Sequence, residues 1–251
     1  MDTIPMDEPW MKHLLPGGWP AQTATLITGP GGSGKPLIGN VVASSWLKEG
    51  GSVVFMSLQY PSHEFIEAGL RRVAGLELGD YEGRIAFLEL DATMEDLETL
   101  TDNRIRANLV KPPVWNRALE LAISSVPSGG PGVLIFGSAL NLLLFSPTYG
   151  ECLLEEMKKT MDRTDTLTHL FSVSSSAKKE MIQELEELAD NLLVSHSSRD
   201  PFRLFLHVER MMGVPFNPEE IEVPISQEVL EEVKAVADHS RRRVIPLISK
   251  I

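Results

Sequence analysis

The sequence predicts an α/β fold with a mostly parallel central sheet, helices on both faces and an antiparallel C-terminal edge. First, short apolar segments alternate along the chain with longer segments of helical periodicity. Second, a glycine-rich loop joins the first apolar strand to the first long helix. Third, two predicted strands near the C-terminus are separated only by a turn sequence. Alternating strands and helices are typical of a parallel sheet, and the final strand pair predicts the antiparallel edge.

The predicted alternation of strands and helices begins in the first half of the chain. Residues 1–20 are rich in proline and glycine and predict an N-terminal segment with one short amphipathic piece. The elements predicted next are a strand at 23–28, a helix at 36–48, a strand at 53–58, a helix at 61–72 and a strand at 85–90. Glycines 50 and 51 follow the first long helix, as expected for a helix C-terminus.

The second half continues the pattern. Its predicted elements are helices at 94–106 and 115–126, a strand at 133–136, a helix at 151–163, a strand at 169–173, a helix at 178–189, strands at 192–195 and 203–209, and a helix at 227–238. Arg199, Asp200 and Pro201 are predicted to form the turn between the last two strands. We expect residues 1–251 to form a single domain, with residues 226–251 as a C-terminal helix and tail.

Composition narrows the function classes. The 23 basic and 35 acidic side chains give a net charge of −12, which supplies no global attraction for nucleic acid. The single cysteine, Cys152, excludes an intramolecular disulfide and fits a reducing, cytoplasmic setting. No run of about 18 uncharged apolar residues occurs, so no membrane span is expected.

The glycine-rich loop is the most specific motif of the chain. It matches the Walker A pattern up to its lysine and reads Gly29, Pro30, Gly31, Gly32, Ser33, Gly34, Lys35. Glycines let successive backbone N–H groups turn towards a bound phosphate, and the helix that follows points its N-terminus at the anion. The lysine adds a point charge for the terminal phosphates. The sequence therefore predicts a phosphate-binding loop at residues 29–36.

The residue after this lysine departs from the pattern. The motif requires Ser or Thr there, whose hydroxyl holds Mg²⁺, but this chain has Pro36. Proline is tolerated in the first turn of a helix, so we expect the loop to keep its shape. It supplies neither a hydroxyl for the metal nor an N–H for the phosphate. Losing one hydrogen bond to a charged group costs about 1.5–3 kcal/mol.

The order of these features resembles the KaiC-like family of RecA-superfamily ATPases. Besides the loop, the resemblance depends on the strand ending in Ser57-Leu58, the strand followed by Gly137-Ser138, and the segments at residues 187–190 and 208–215. It extends from about Gly17 to Ile225. It implies a RecA-like P-loop NTPase fold, binding of ATP or ADP, and assembly into homo-oligomers.

Four positions besides Pro36 depart from the family pattern. The family has acidic residues after the second strand, one of which orients the attacking water, but this chain has Gln59. The Walker B strand of the family ends in Asp, and here Gly137 takes that place. The nearest other carboxylate, Asp91, is expected to cap a turn. A Lys and an Arg that reach a neighbouring subunit's nucleotide in the family correspond to Arg210, a candidate phosphate contact in trans, and Met212.

Other charged residues carry weaker signals. Glu64 and Glu67 could substitute for the missing base, although the solvated face of a helix is the simpler interpretation. The arginines at 241–243 could bind nucleic acid or an acidic partner, or could simply favour the C-terminus of a helix. The histidines have no metal-ligand spacing, and no metal site is predicted.

Three functions remain open from the sequence. The first is a KaiC-like nucleotide-binding protein with impaired hydrolysis and doubtful Mg²⁺ binding, acting as a regulatory or scaffolding component. The second is an active ATPase in DNA recombination, repair or signalling, with substitute residues such as Glu64 or Asp91. The third is a protein-interaction module that no longer binds nucleotide. Fold membership cannot choose among these functions.

Overall fold

The N-terminal segment packs onto the core through its large apolar side chains. A computed structural model describes residues 2–58, 63–100, 103–199 and 202–251. Strand β1 (Thr3–Ile4) pairs antiparallel with β2 (Trp19–Pro20), and helix α1 (Pro9–Leu14) lies between them in the chain. Trp19 is fully buried, so the proline-rich segment predicted from the sequence is an integral part of the packed structure.

Strands and helices then alternate as the sequence predicts, except that residues 94–106 differ, as described below, and that the strand at residues 221–223 was not predicted. The elements are β3 (Ala24–Thr28), α2 (Lys35–Lys48), β4 (Ser52–Ser57), α3 (His63–Ala74), β5 (Ile85–Leu90), β6 (Leu97–Thr99), β7 (Arg104–Ala107), α4 (Pro112–Ser124), β8 (Val133–Ser138), α5 (Gly150–Met161), β9 (Leu167–Ser172), α6 (Lys179–Leu188), β10 (Asn191–Arg199), β11 (Phe202–Arg210), β12 (Ile221–Val223) and α7 (Gln227–Ile248). Two 3-10 helices cover Leu78–Tyr81 and Leu140–Phe145.

One large sheet organises the described residues. Its strand order is β12-β11-β10-β3-β9-β8-β4-β5-β7-β6. The strands from β10 to β7 run parallel to one another, whereas β11, β12 and β6 are antiparallel to their neighbours. The α/β fold with a mostly parallel sheet and an antiparallel C-terminal edge is confirmed.

Both faces of the sheet are covered. In β4, Val53 and Phe55 pack into the core that includes α2, while Val54 and Met56 pack into the core that includes α4. Side chains of a strand alternate between faces, so the two apolar clusters lie on opposite sides of the sheet. The near-continuous burial of β3, β4, β8 and β9 follows from this double covering.

The helix predicted at residues 94–106 is wrong, because this segment forms the antiparallel pair β6 and β7 at the sheet edge. Asn103 has a φ of 63°, a left-handed conformation that interrupts any helix there. In β7, Ile105 and Ala107 are buried, while Arg104 and Arg106 lie on the other side. This period of two, together with parallel pairing to β5, favours a strand.

The C-terminal helix is longer than the sequence predicts. Helix α7 continues to Ile248 instead of ending near Asp238, so the arginine run lies inside it. Ser226 caps its N-terminus by accepting a hydrogen bond from the Val229 N–H. No helix among the described residues is long and apolar enough to cross a membrane. Of the predicted turn residues, Arg199 instead ends β10, and Asp200 and Pro201 lie outside the described residues.

Candidate phosphate-binding site

The glycine-rich loop lies at the carboxyl end of the parallel strands. It leaves β3 after Thr28 and enters α2 at Lys35, between the neighbouring strands β9 and β10. Ligands of open α/β sheets bind outside the carboxyl ends of the strands. The loop therefore occupies the place where this class of fold builds its sites.

The backbone of the loop requires glycine at two positions in particular. Gly29 has a φ of 132°, and a Cβ atom there would lie 2.0 Å from the carbonyl oxygen of Ser195. Gly34 precedes α2 with a φ of 61°, in the left-handed region. A side chain at either position would be strained, because L-residues other than Gly rarely adopt these conformations.

Serine side chains hold the loop in place. The Ser33 hydroxyl donates to the Pro30 carbonyl at 2.8 Å and lies 2.7 Å from the Ser195 hydroxyl. The Gly31 N–H donates to the Ser176 hydroxyl at 3.1 Å. These contacts tie the loop to β10 and to the segment that follows β9, so its shape does not depend on a bound ligand.

The side chain of Lys35 folds back onto the glycine-rich loop. Its Nζ atom donates to the carbonyls of Gly29 at 2.9 Å and Pro30 at 2.7 Å, and to the Ser33 hydroxyl at 3.0 Å. The side chain is buried, and burial lowers the pKa of its ammonium group to about 7. To reach a phosphate, this ammonium group must exchange the two carbonyl contacts for phosphate oxygens.

Pro36 lies in the first turn of α2 without disturbing the helix. The Leu37 N–H donates to the Gly34 carbonyl at 2.9 Å, so the helical hydrogen bonds begin directly after the loop. The ring is buried and lines the same cavity as the loop. The loop keeps its shape with proline at this position, and the hydroxyl that would hold Mg²⁺ is missing.

The space beside Gly137 is closed. This glycine ends the apolar part of β8 and is buried. A Cβ atom there would lie 2.9 Å from Cδ1 of Phe171 and 3.0 Å from Cδ1 of Leu140. Apolar atoms thus fill the region that the side chain of a Walker B Asp would need.

Two other candidates for metal or water chemistry, Asp91 and Glu67, have partners away from the loop. Asp91 accepts hydrogen bonds from the N–H and the hydroxyl of Thr93, at 2.9 and 2.6 Å, and so caps a turn. Glu67 pairs with Arg71 along α3 at 3.1 Å. Gln59 lies outside the described residues. Within the described part of the chain, no group of three or more His, Cys, Asp or Glu residues could hold a metal ion.

Arg210 and the loop lie at opposite ends of the strands, with Arg210 at the amino end of the parallel strands. It ends β11 opposite Leu192, near the start of β10. Its guanidinium group donates to the carbonyls of Glu186 and Ala189, both at 2.6 Å, and so caps the C-terminus of α6. The residue is exposed, so a contact with a neighbouring subunit stays a prediction.

Sequence reasoning missed a row of buried hydroxyl groups near the loop. Thr28, Ser57 and Ser138 are the last residues of β3, β4 and β8. Their hydroxyl oxygens are buried and have no hydrogen-bond partner within the described part of the chain. The signal was available, because each hydroxyl residue lies at or within two residues of the end of a predicted apolar strand. Unpaired buried polar groups are unusual and often indicate a site for water or ligand.

A cavity of about 270 Å³ opens against the loop. Residues 31–36 form one wall, and Asn141 and Phe145 of the second 3-10 helix form another. Ser174 and Ser176 contribute from the segment after β9. Helix α7 closes the cavity with Val233, Asp238 and Ile245. The cavity thus combines a cradle of backbone N–H groups with apolar walls and one carboxylate.

Fold and loop together define a RecA-like P-loop fold. A KaiC-like protein from the hyperthermophilic archaeon Pyrococcus horikoshii OT3 superimposes with a TM-score of 0.68 over 90% of this chain and 96% of its own. Sequence identity is 14%, so this similarity supports the fold alone. No protein-family model and no curated protein match the sequence. The KaiC-like type of RecA fold, expected from the sequence, is confirmed at the level of structure.

Proposed function

We propose that this chain binds ATP or ADP at residues 29–36, hydrolyses little or none of it, and acts as a regulatory or scaffolding component. One contrast carries the proposal. The loop keeps its glycine backbone and Lys35, while the space for a Walker B carboxylate beside Gly137 is filled by Phe171 and Leu140. The binding half of the motif is thus retained and the metal half is lost.

Nucleotide binding is supported by the physics of the loop. Its N–H groups lie at the N-terminus of α2, where the helix dipole favours an anion. Phosphates near Lys35 would favour its protonated form and compensate for its burial. Because Pro36 has no N–H, the cradle has one donor fewer than the usual motif, and we expect affinity about ten- to a hundredfold below that of an intact loop.

Weak hydrolysis follows from the missing ligands and base. The residues present do not fit a Mg²⁺ site, since Pro36 has no hydroxyl and Gly137 has no carboxylate. Gln59 can position a water molecule but cannot accept its proton, and general-base catalysis is typically worth about 10²–10⁴-fold. We therefore derive no metal-dependent step for this chain.

Assembly into a homo-oligomer belongs to the same proposal. The exposed position of Arg210 leaves it accessible to a second copy of the chain, where it could contact a phosphate. In its own chain the group is held by two α6 carbonyls, so such a contact would require it to give up these partners.

The experiment is isothermal titration of ATP and of ADP into wild type, Lys35→Ala and Lys48→Ala. Lys48 ends the same helix, is 39% exposed and pairs with Asp7, so its removal controls for a lost lysine in α2. We expect micromolar binding in wild type and Lys48→Ala, and at least about tenfold weaker binding in Lys35→Ala. Thermal unfolding of each variant verifies that the loop mutation leaves the fold intact.

Two results would contradict the proposal. The absence of heat with wild type at millimolar ATP would mean that the loop no longer binds nucleotide, which favours a protein-interaction module. Steady Mg²⁺-dependent turnover that collapses in Lys35→Ala would instead favour an active ATPase.

A further inference from the structure

Helix α7 crosses from one face of the sheet to the other. Near its start, Val233 is buried in the apolar cluster that includes α2 and α3, and Glu232 forms an ion pair with Arg72 of α3. Near its end, Ile248 is fully buried in the cluster on the opposite face. Because the two clusters lie on opposite sides of the sheet, α7 must pass around the sheet, either beside an edge strand or over the ends of the strands.

The crossing takes place at the glycine-rich loop. Val233, Asp238 and Ile245 all line the cavity whose other wall is residues 31–36. At 1.5 Å per residue, the stretch from Val233 to Ile245 covers about 18 Å. Helix α7 therefore lies along the mouth of the site, with residues from its early, middle and late turns facing the cavity.

The space left between the loop and α7 is small for a nucleoside triphosphate. Its volume of about 270 Å³ is below the roughly 300–1,000 Å³ that small-molecule pockets usually have. Because Val233 and Ile245 of α7 line this space together with residues 31–36, bound nucleotide and docked α7 compete for it.

The described side chains of α7 are mostly exposed or half-buried. Among them, Val233 and Ile248 are buried, and Val229, Val244 and Ile245 pack half-buried against the two apolar clusters. Leu247, next to Ile248, is 40% exposed. A helix whose contacts are interrupted by exposed positions can leave its site at lower cost than one with a continuous buried face.

We propose that α7 is an autoinhibitory lid, which must leave the glycine-rich loop before a nucleotide can bind. This inference rests on the proposed nucleotide site and adds its regulation. The apparent affinity for nucleotide is the intrinsic affinity multiplied by the fraction of molecules with α7 displaced. Any change that weakens the docking of α7 therefore tightens nucleotide binding, although it removes contacts and adds none to the ligand.

The test compares two adjacent positions of α7 in the full chain. Ile248→Asp places a charge in the buried anchor, and Leu247→Asp places the same charge on the exposed side. Isothermal titration should show ATP binding at least about tenfold tighter in Ile248→Asp than in wild type, a difference of about 1.4 kcal/mol. Leu247→Asp should bind as wild type does. Circular dichroism verifies that both variants are folded.

Two further measurements make the test independent of the folding of Ile248→Asp. Val233→Ala removes part of the other buried contact of α7, and should tighten ATP binding severalfold. Hydrogen exchange of the wild-type backbone at residues 227–248 should speed up when ATP is saturating, because the helix is then displaced. Slower or unchanged exchange under these conditions would overturn the lid.

The outcomes separate the lid from the nucleotide site. Equal ATP affinity in wild type, Ile248→Asp and Val233→Ala would overturn the lid and leave the proposed function standing. Binding in wild type that becomes tighter in Ile248→Asp would support both. No binding in any folded variant would overturn both, because opening the lid would then expose no nucleotide site.

Discussion

Restoring the missing carboxylate by Gly137→Asp should destabilise the protein and should not restore hydrolysis. The added Cβ would lie 2.9 and 3.0 Å from atoms of Phe171 and Leu140, closer than ordinary contact. Overpacking of this kind costs about 1–3 kcal/mol. The carboxylate adds a desolvation penalty of at least about 2 kcal/mol, because its neighbours are apolar.

A total of about 3–5 kcal/mol should lower the melting temperature by roughly 6–20 °C for a chain of this size. Circular dichroism during heating measures this shift, and an ATP turnover assay with Mg²⁺ measures any gain of activity. Gly137→Ala separates the steric part from the charge. Gly79→Asp is the matched control, since a Cβ atom at Gly79 has no neighbour within 4 Å.

The two controls have different expected results. Gly79→Asp should stay within about 0.5 kcal/mol of wild type, as surface changes usually do. Gly137→Ala should lose only the overpacking part. If Gly137→Asp melted within about 2 °C of wild type and gained Mg²⁺-dependent turnover, the closed space beside β8 would not be the reason for lost metal chemistry.

Further predictions concern the titrating groups and the α6 cap. Burial lowers the pKa of Lys35 to about 7, and phosphate binding requires the protonated ammonium group. The affinity for ATP should therefore fall about tenfold from pH 6.5 to pH 8.5. An ATP affinity that does not change over this pH range would contradict this prediction. Burial lowers the pKa of His169 from 6.5 to about 4, so the unfolded chain takes up a proton at this residue before the folded chain does. The free energy of unfolding should therefore be unaffected by His169 above pH 6.5 and should fall by about 3 kcal/mol as the pH is lowered through 4. Urea unfolding of wild type and of the non-titrating His169→Phe across this range should show a steeper acid loss in wild type, and parallel curves would rule the effect out. Arg210→Met should lose about 1 kcal/mol through the freed carbonyls of α6, whereas the exposed Arg203→Met should lose less; equal melting temperatures would argue against the cap.

Sequence reasoning was strongest where local chemistry decides the structure. The glycine-rich loop is specified by its own residues, because Gly29 and Gly34 adopt backbone conformations that other residues rarely take. The buried parallel strands follow from short apolar runs, and the final antiparallel pair from alternating residues with a turn between them. The fold class was therefore within reach of the sequence.

The features that the sequence did not predict depend on contacts between residues that are distant in the chain. Residues 94–106 have enough helix-forming side chains to suggest a helix, yet β7 gains hydrogen bonds from β5 and an ion pair between Arg104 and Glu89 at 2.8 Å. The closure of the space beside Gly137 depends on Phe171, which is distant in the chain. The path of α7 over the loop likewise depends on Ile248, whose partners lie in other elements.

The Mg²⁺ dependence of ATP affinity tests the central claim most directly. We expect micromolar dissociation constants that agree within about twofold in Mg²⁺ and in EDTA, because the chain supplies neither the hydroxyl nor the carboxylate that would hold the metal. Binding that is tenfold or more tighter with Mg²⁺, a difference of about 1.4 kcal/mol, would show that the metal site is intact and would contradict the account.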